Sequence, residues 1–497
     1  MKNIQLKLNK RVGLIFVSSL LISLLVGIQI GLAQTGTTPT FSTGPYAGAP
    51  TCTVYPLNST YYSAKDSYGA IFSQSSDIST ILNAIYIANP YADVVLNNGV
   101  YSTSNTITMP ETATLRGETI GKREYMPTIE PSASFPSTNY IITVTSTTSG
   151  TDCGEISNLY LYNNNIAANR NGILLNATTT SSFMRGFTVE KVRFTYLMTP
   201  LKLMGTIWES TFTDLQIVGY NTGFKGYHAI ELEKDVGGAI PYREGPKLNY
   251  FTNIKIRNDG GFDVGFYFGN DTAYNKIVNL DIYKGGYTYA GIYFTGRSFS
   301  NSVTNYRNSD NNPAVTTSAS SIVMNGPQVF GNAIYQSNLS PMADSLEVIK
   351  YLGWAYNNYV QFLPLGAIEY GTYVINGTQA GAGNSVNILP PHANQTTGIA
   401  WSYSGASRNV TFSGFQAEDS GSATATSYSA ITYKLAGTAT SISAIACAET
   451  NASNTDLYTE IWIRDATGFG VFLKYANGTY FTAPNYVTVL WSAKYSP

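Results

Sequence analysis

Two glutamates stand one residue apart in AIELEKD, residues 229–235, and their type and spacing fit acid–base chemistry. Ile230 and Leu232 alternate with them, so on a strand both carboxyls, Glu231 and Glu233, leave one face, roughly 7 Å apart by strand rise. At that spacing one carboxyl can protonate a glycosidic oxygen while the other activates water, as in inverting glycoside hydrolysis. Tyr267 and Tyr293 would offer rings for a sugar face, and Asp281 and Arg307 complete a candidate glycan-binding set. The bland alternative is a solvated acidic edge neutralised by Lys202 and Lys234, beside a tyrosine ladder that only stabilises.

Other chemistry has little to build on. The chain has two histidines, His228 and His392, too few for a His-rich metal site or a Ser–His–Asp triad. His392 reads as a solvated residue between domains. Neither CxxC, HExxH nor a P-loop occurs. Asp259 and Asp263 in NDGGFD could hold calcium, but an isolated pair reads more simply as a turn, so no metal or other cofactor is assigned. Charged residues make up 12% of the chain and sum to −1, which argues against nucleic acid as a partner.

The elements that must position the glutamates come from a repeat. Residues 249–274, NYFTNIKIRNDGGFDVGFYFGNDTAY, are followed by a close copy, NKIVNLDIYKGGYTYAGIYFTGRSFS. An asparagine series follows the period: Asn253, Asn279, Asn305, Asn332, Asn358 and Asn387, with Asn158, Lys191 and Asp214 in the earlier slots. Such a period marks a solenoid. Each unit holds short alternating strands and no helical pattern, with Leu280, Ile282, Ile292 and Phe294 inward. Stacked coils bury apolar columns that one coil could not, and one ladder of bend asparagines would satisfy turn amides within the stack. The outward column of the first strand reads Leu174, Lys202, Glu231, Tyr267, Tyr293, Val323. The column after the bend reads Tyr160, Arg193, Gln216, Lys255, Asp281, Arg307, whose alternating charges suggest ion pairing along the stack.

Before the repeats, Lys2, Lys7, Lys10 and Arg11 precede an apolar run from Val12 to Ala33. Residues 1–33 read as a signal peptide cut before Gln34, or as a membrane anchor, since about 22 apolar residues can span a bilayer. Residues 34–64 read as linker and entry segment. A helix is predicted from N-cap Asp77 through Ile78, Ile81, Leu82 and Ile85, stopped at Asn89-Pro90. Three cysteines leave open one bridge, Cys52 to Cys153, in an oxidising exterior. Nine sequons, at Asn58, Asn176, Asn270, Asn338, Asn376, Asn394, Asn409, Asn451 and Asn477, permit glycosylation. After residue 399 the period fades into longer strands, read as an antiparallel sandwich over 399–497.

The order GIYFTG, NSVT, an asparagine bend, then YR resembles the coil of the pectate-lyase-like right-handed parallel β-helix superfamily. NNGVYSTSNTITMPETATLRGE resembles the entry to that superfamily's first coil. The resemblance covers residues 65–390 and implies an N-terminal helical cap over 65–130 and a right-handed parallel β-helix over 131–390; with the sandwich read from the strand pattern, the expected chain is all-β. The superfamily includes lyases, hydrolases, tailspikes and adhesins, so it fixes no activity. Polygalacturonase-like enzymes would need a Gly-His-Gly and an Asp pair, and neither is present. The expectation is a secreted, cell-surface or virion-surface protein that binds glycan or builds a surface structure, touching membrane only through its N-terminus. The alternative is a polysaccharide-cleaving enzyme; a spike would add a homotrimer.

Overall fold

The computed structural model describes residues 51–388, except 119–125, 147–153, 166–167, 179–181, 220–226, 235–243, 259–260, 284–288, 310–319, 340–346, 365–371 and 378, together with eight strands between 400 and 495. The N-terminal segment 1–33 and Asn394, Asn409, Asn451 and Asn477 lie outside the described residues.

The chain is a parallel β-helix. One coil runs Val264–Phe268, then Thr272–Ala273, then Lys276–Tyr283. The next repeats it as Ala290–Thr295, Ser298–Phe299 and Ser302–Ser309, each strand parallel to its predecessor. The first strands of successive coils make an eleven-stranded sheet; the third strands belong to a longer sheet. Period-two alternation sends Ile230, Leu232, Phe266, Phe268, Ile292 and Phe294 inward, all fully buried. Phe268 and Phe294 stack at 4.5 Å and 12°, so the core repeats with the coil.

The expected single asparagine ladder resolves into two. The exposed one occupies the bend inside the third strand. There Asp214, Asn253, Asn279 and Asn305 have φ of 56°, 57°, 60° and 56°, a left-handed conformation that Asn and Asp tolerate better than most residues. Asn253 donates to Asp214, Asn279 to Asn253 and Asn305 to Asn279, at 3.0, 2.8 and 2.7 Å. Asn158 and Lys191 are left-handed too, at 55° and 52°.

Asn332 and Asn358 belong to the second, buried ladder of Asn249, Asn275, Asn301, Asn332, Asn358 and Asn384. In it each Oδ1 from Asn275 onward accepts both the side-chain and backbone N–H of the coil before. Each Nδ2 also reaches a backbone carbonyl, so these amides are buried without unmet hydrogen bonds. The two ladders run four residues apart. A longer step after Asn305 puts Gln336 in the exposed slot and brings Asn332 close to the expected period. Asn387 stands in neither; its amide donates to Tyr359 Oη at 3.2 Å.

Both expected ends of the solenoid need revision. Strand Thr51–Pro56, expected as entry segment, pairs in parallel with Asp93–Leu96, which pairs in parallel with Thr114–Gly117. Parallel stacking therefore begins before residue 131. At the other end, Ala400–Ser404 and Val410–Gly414 continue the two parallel sheets past the expected boundary at 399. The spacing from Asn384 to Val410 is still one coil, but the asparagine that marked the coil is gone. Beyond them, two three-stranded antiparallel sheets lie between Ala417 and Tyr495.

The predicted helix spans Ile78–Ala88; Asp77 caps it by accepting from the Ser79 N–H, and Ile78, Ile81, Leu82 and Ile85 are buried. Cys52 is a buried free thiol on the core side of its strand, and Cys153, the partner left open for it, lies outside the described residues. Among the sequon asparagines, Asn58 is exposed in a turn where its side-chain oxygen accepts from the Thr60 and Tyr61 N–H groups. Asn176, Asn338 and Asn376 lie within strands.

Candidate active site

Strand His228–Glu233 sits in the middle of the eleven-stranded sheet, between Leu201–Gly205 and Val264–Phe268. Its register aligns Lys202 with Glu231, Glu231 with Tyr267, and Tyr267 with Tyr293, the outward column read from sequence. Because Ile230 and Leu232 are committed to the core, Glu231 and Glu233 both emerge on the outer face.

Their surroundings differ. Lys202 Nζ lies 2.7 Å from Glu231 Oε1, and His228 Nδ1 lies 3.1 Å from Oε2. With Glu231 ionised, that imidazole nitrogen must carry the donated proton. The His228 ring stacks on Tyr267 at 4.0 Å and 6°, and Tyr267 meets Tyr293 at 5.6 Å and 41°. Asn325 donates to Tyr293 Oη at 2.6 Å, fixing that ring.

Glu233 is buried, 8% exposed, and has no lysine or histidine within ion-pair distance among the described residues. Its carboxyl folds over Gly269, where a Cβ would fall 1.9 Å from Oε2, so a larger residue there would push the carboxyl from this position. Oε1 accepts the Asn270 backbone N–H at 3.0 Å. The neighbouring cations are engaged elsewhere: Lys234 Nζ lies 2.6 Å from Asp271 Oδ2 and Arg297 lies 3.2 Å from Asp271 Oδ1.

These environments drive the two carboxyls apart. Burial pushes Glu231 up, but the His228 hydrogen bond and charge, joined by Lys202, outweigh it and hold Glu231 at about 2. Burial pushes Glu233 up to about 7, and the negative charge of Glu231 adds to the rise against the Asn270 N–H. Between those values one carboxyl is ionised and its neighbour protonated, the division of labour that acid–base catalysis needs. Tyr267 is pushed well up by burial and by both carboxylates. Burial and Glu231 do the same to Tyr140.

The candidate residues do not all meet. Glu231, Glu233, Tyr267 and Tyr293 share one face. Asp281 and Arg307 pair in register on the other, longer sheet, because they follow the bend that turns the coil onto a different face. They are therefore not part of a glycan site with the tyrosines. The acidic edge is also not neutralised as expected, since Lys202 serves Glu231 whereas Lys234 serves Asp271. No group of three or more metal-ligating side chains occurs among the described residues; Asp259 lies outside them.

Sequence reasoning missed His228. Strict alternation puts it on the core side with Ile230, but strand pairing lapses at Ala229 and leaves the ring half-buried against Tyr267. The Gly269–Asn270 clamp was also missed; it uses a backbone amide and an absent side chain, which no residue pattern announces.

No family model and no curated protein matches the chain. Among solved structures it is similar to the A-module of the mannuronan C-5 epimerase of Azotobacter vinelandii. There the identity is 11% and the TM-score 0.41, over 68% of this chain and 96% of that one. It is also similar to a tailspike protein of E. coli bacteriophage HK620 in complex with a pentasaccharide, at 10% identity and TM-score 0.44, over 85% and 90% of the two chains. A third is the tailspike gp49 of Pseudomonas phage LKA1, at 10% identity and TM-score 0.32, over 84% and 92%. Likenesses this distant carry no weight for the chemistry, which rests on the residues above.

Proposed function

We propose that the chain is an exported β-helix protein that binds a polysaccharide across the eleven-stranded sheet and cleaves it by acid–base chemistry at Glu231 and Glu233. One observation carries this reading: two carboxyls leave the same strand side by side, one bound by Lys202 and His228 and the other buried with no ion-pair partner among the described residues. Glu233, protonated below about pH 7, gives its proton to the glycosidic oxygen as the bond breaks. Glu231, ionised above about pH 2, draws a proton from the attacking water, while Lys202 and His228 hold it in place. Tyr267 and Tyr293 seat the sugar. The strand rise puts the two residues roughly 7 Å apart, which favours inversion over a covalent intermediate.

The rival reading, binding without turnover, has its own support, because a carboxylate already engaged by two partners is a weaker base. A panel of acidic and neutral polysaccharides separates the two. Cleavage by this route releases reducing ends that Glu233→Gln no longer releases; binding across the panel without release leaves only the glycan-binding role. Export follows the leader or anchor character of residues 1–33. The helix is read as capping one end and the antiparallel strands, taken as a sandwich, as closing the other. A homotrimeric spike would show a threefold mass in native mass measurement.

A further inference from the structure

The outer face of the longer sheet carries a second cluster that the acid–base site does not use. Tyr160 and Tyr162 leave strand Tyr160–Tyr162 on one side, and the following coil adds Arg193, in register with Tyr160, and Tyr196. The Tyr160 and Tyr162 rings lie 5.6 Å apart at 32°, and those of Tyr162 and Tyr196 lie 5.8 Å apart at 51°. In the core, by contrast, Phe212 and Phe251 stack at 12°. Three partly exposed rings thus lean on one another around Tyr162, instead of closing each other's faces along the stack.

Polar groups edge this platform. The Arg193 guanidinium lies 4.8 Å from the Tyr160 ring centre, and the exposed Asn164 amide donates to Glu130 Oε2 at 3.0 Å. Tyr196 is held in a left-handed conformation, φ 61°, costly for so large a residue. The buried Asn163 fixes that corner by donating to the Tyr196 and Ala168 carbonyls. Lys191, Leu248 and Tyr274 take the same left-handed bend, and at Tyr196 it sets the ring beside Tyr162.

We propose that this face is a second, non-catalytic glycan-binding site. It seats the apolar face of a pyranose ring on Tyr162 and takes the ring hydroxyls on Glu130, Asn164 and Arg193. It lies on a different sheet from the glutamate pair and stands whether or not that pair cleaves. Two sites on one β-helix would hold a polymer more tightly than either alone.

The test uses the full chain carrying Glu233→Gln, so that no probe is consumed. It is titrated with cellohexaose, maltohexaose, chitohexaose and hexagalacturonate. Adding Tyr162→Ala should weaken binding of the recognised hexasaccharide about three- to tenfold, the range expected for loss of one stacked ring. Tyr162→Phe, which keeps the ring and guards against a folding defect, should bind as the parent does. The site is overturned if Tyr162→Ala binds like the parent, if Tyr162→Phe loses as much as Tyr162→Ala, or if no probe binds the parent. The single Tyr162→Ala variant, with Glu233 intact, keeps the two proposals apart. New ends with unweakened binding would leave cleavage standing and remove this site; weakened binding without new ends would do the reverse.

Discussion

Glu233→Gln should make this protein more stable, and only above acid pH. Below about pH 4.5 the carboxyl is protonated in both folded and unfolded chains, so its burial adds no ionisation cost. As pH rises the unfolded chain ionises at its ordinary value, whereas the folded chain keeps the proton until about pH 7. Stability is therefore lost between those values, and the loss is complete above the upper one. A rise from 4.5 to about 7 corresponds to about 3 kcal/mol. Because the residue is only 8% exposed, solvent screening calls for little discount. Glutamine copies the protonated acid, and its oxygen can still accept the Asn270 N–H. Urea unfolding at pH 4, 6 and 8 should show the variant level with wild type at pH 4 and about 3 kcal/mol more stable at pH 8. A difference that does not change with pH, or a wild type more stable at pH 8, would refute the burial argument.

Further outcomes follow from the same geometry. Gly269→Ala should abolish cleavage and lower stability by about 1–3 kcal/mol, because its Cβ would fall 1.9 Å from Glu233 Oε2; activity and urea unfolding read both effects. Lys202→Met removes one of the two partners that hold Glu231 at about 2, so less stability is gained above pH 4.5 and acid unfolding monitored by circular dichroism should move to higher pH. Asn301→Ala in the buried ladder should cost about 3 kcal/mol or more, because it strips partners from Asn275, Asn332 and the Thr272 carbonyl. Asn305→Ala in the exposed ladder should cost about 1 kcal/mol in parallel melts.

The solenoid was legible because its physics is periodic. Apolar alternation within each strand and the recurring asparagine specify the stack, and the outward columns through Glu231 and Asp281 match the observed register residue for residue. Legibility failed where the period was broken or doubled. Two asparagine columns four residues apart looked like one, and burial and backbone conformation, which the residue type does not reveal, distinguish Asn301 from Asn305. The coil beyond residue 399 was missed because its marker asparagine is absent. At the candidate site the carboxyl pair could be read from alternation, but its electrostatics could not. Those depend on His228 leaving its expected side, on a glycine and a backbone amide around Glu233, and on Lys234 turning to Asp271.

The acid role of Glu233 is tested most directly by the pH dependence of kcat/KM on whichever polysaccharide the chain cleaves. A buried general acid near 7 beside a carboxylate near 2 predicts a plateau from about pH 4 to 6. Above about pH 7 the rate should fall close to tenfold per pH unit. A rate that climbs through pH 7 would mean that the essential group acts after losing its proton, and would contradict the assignment.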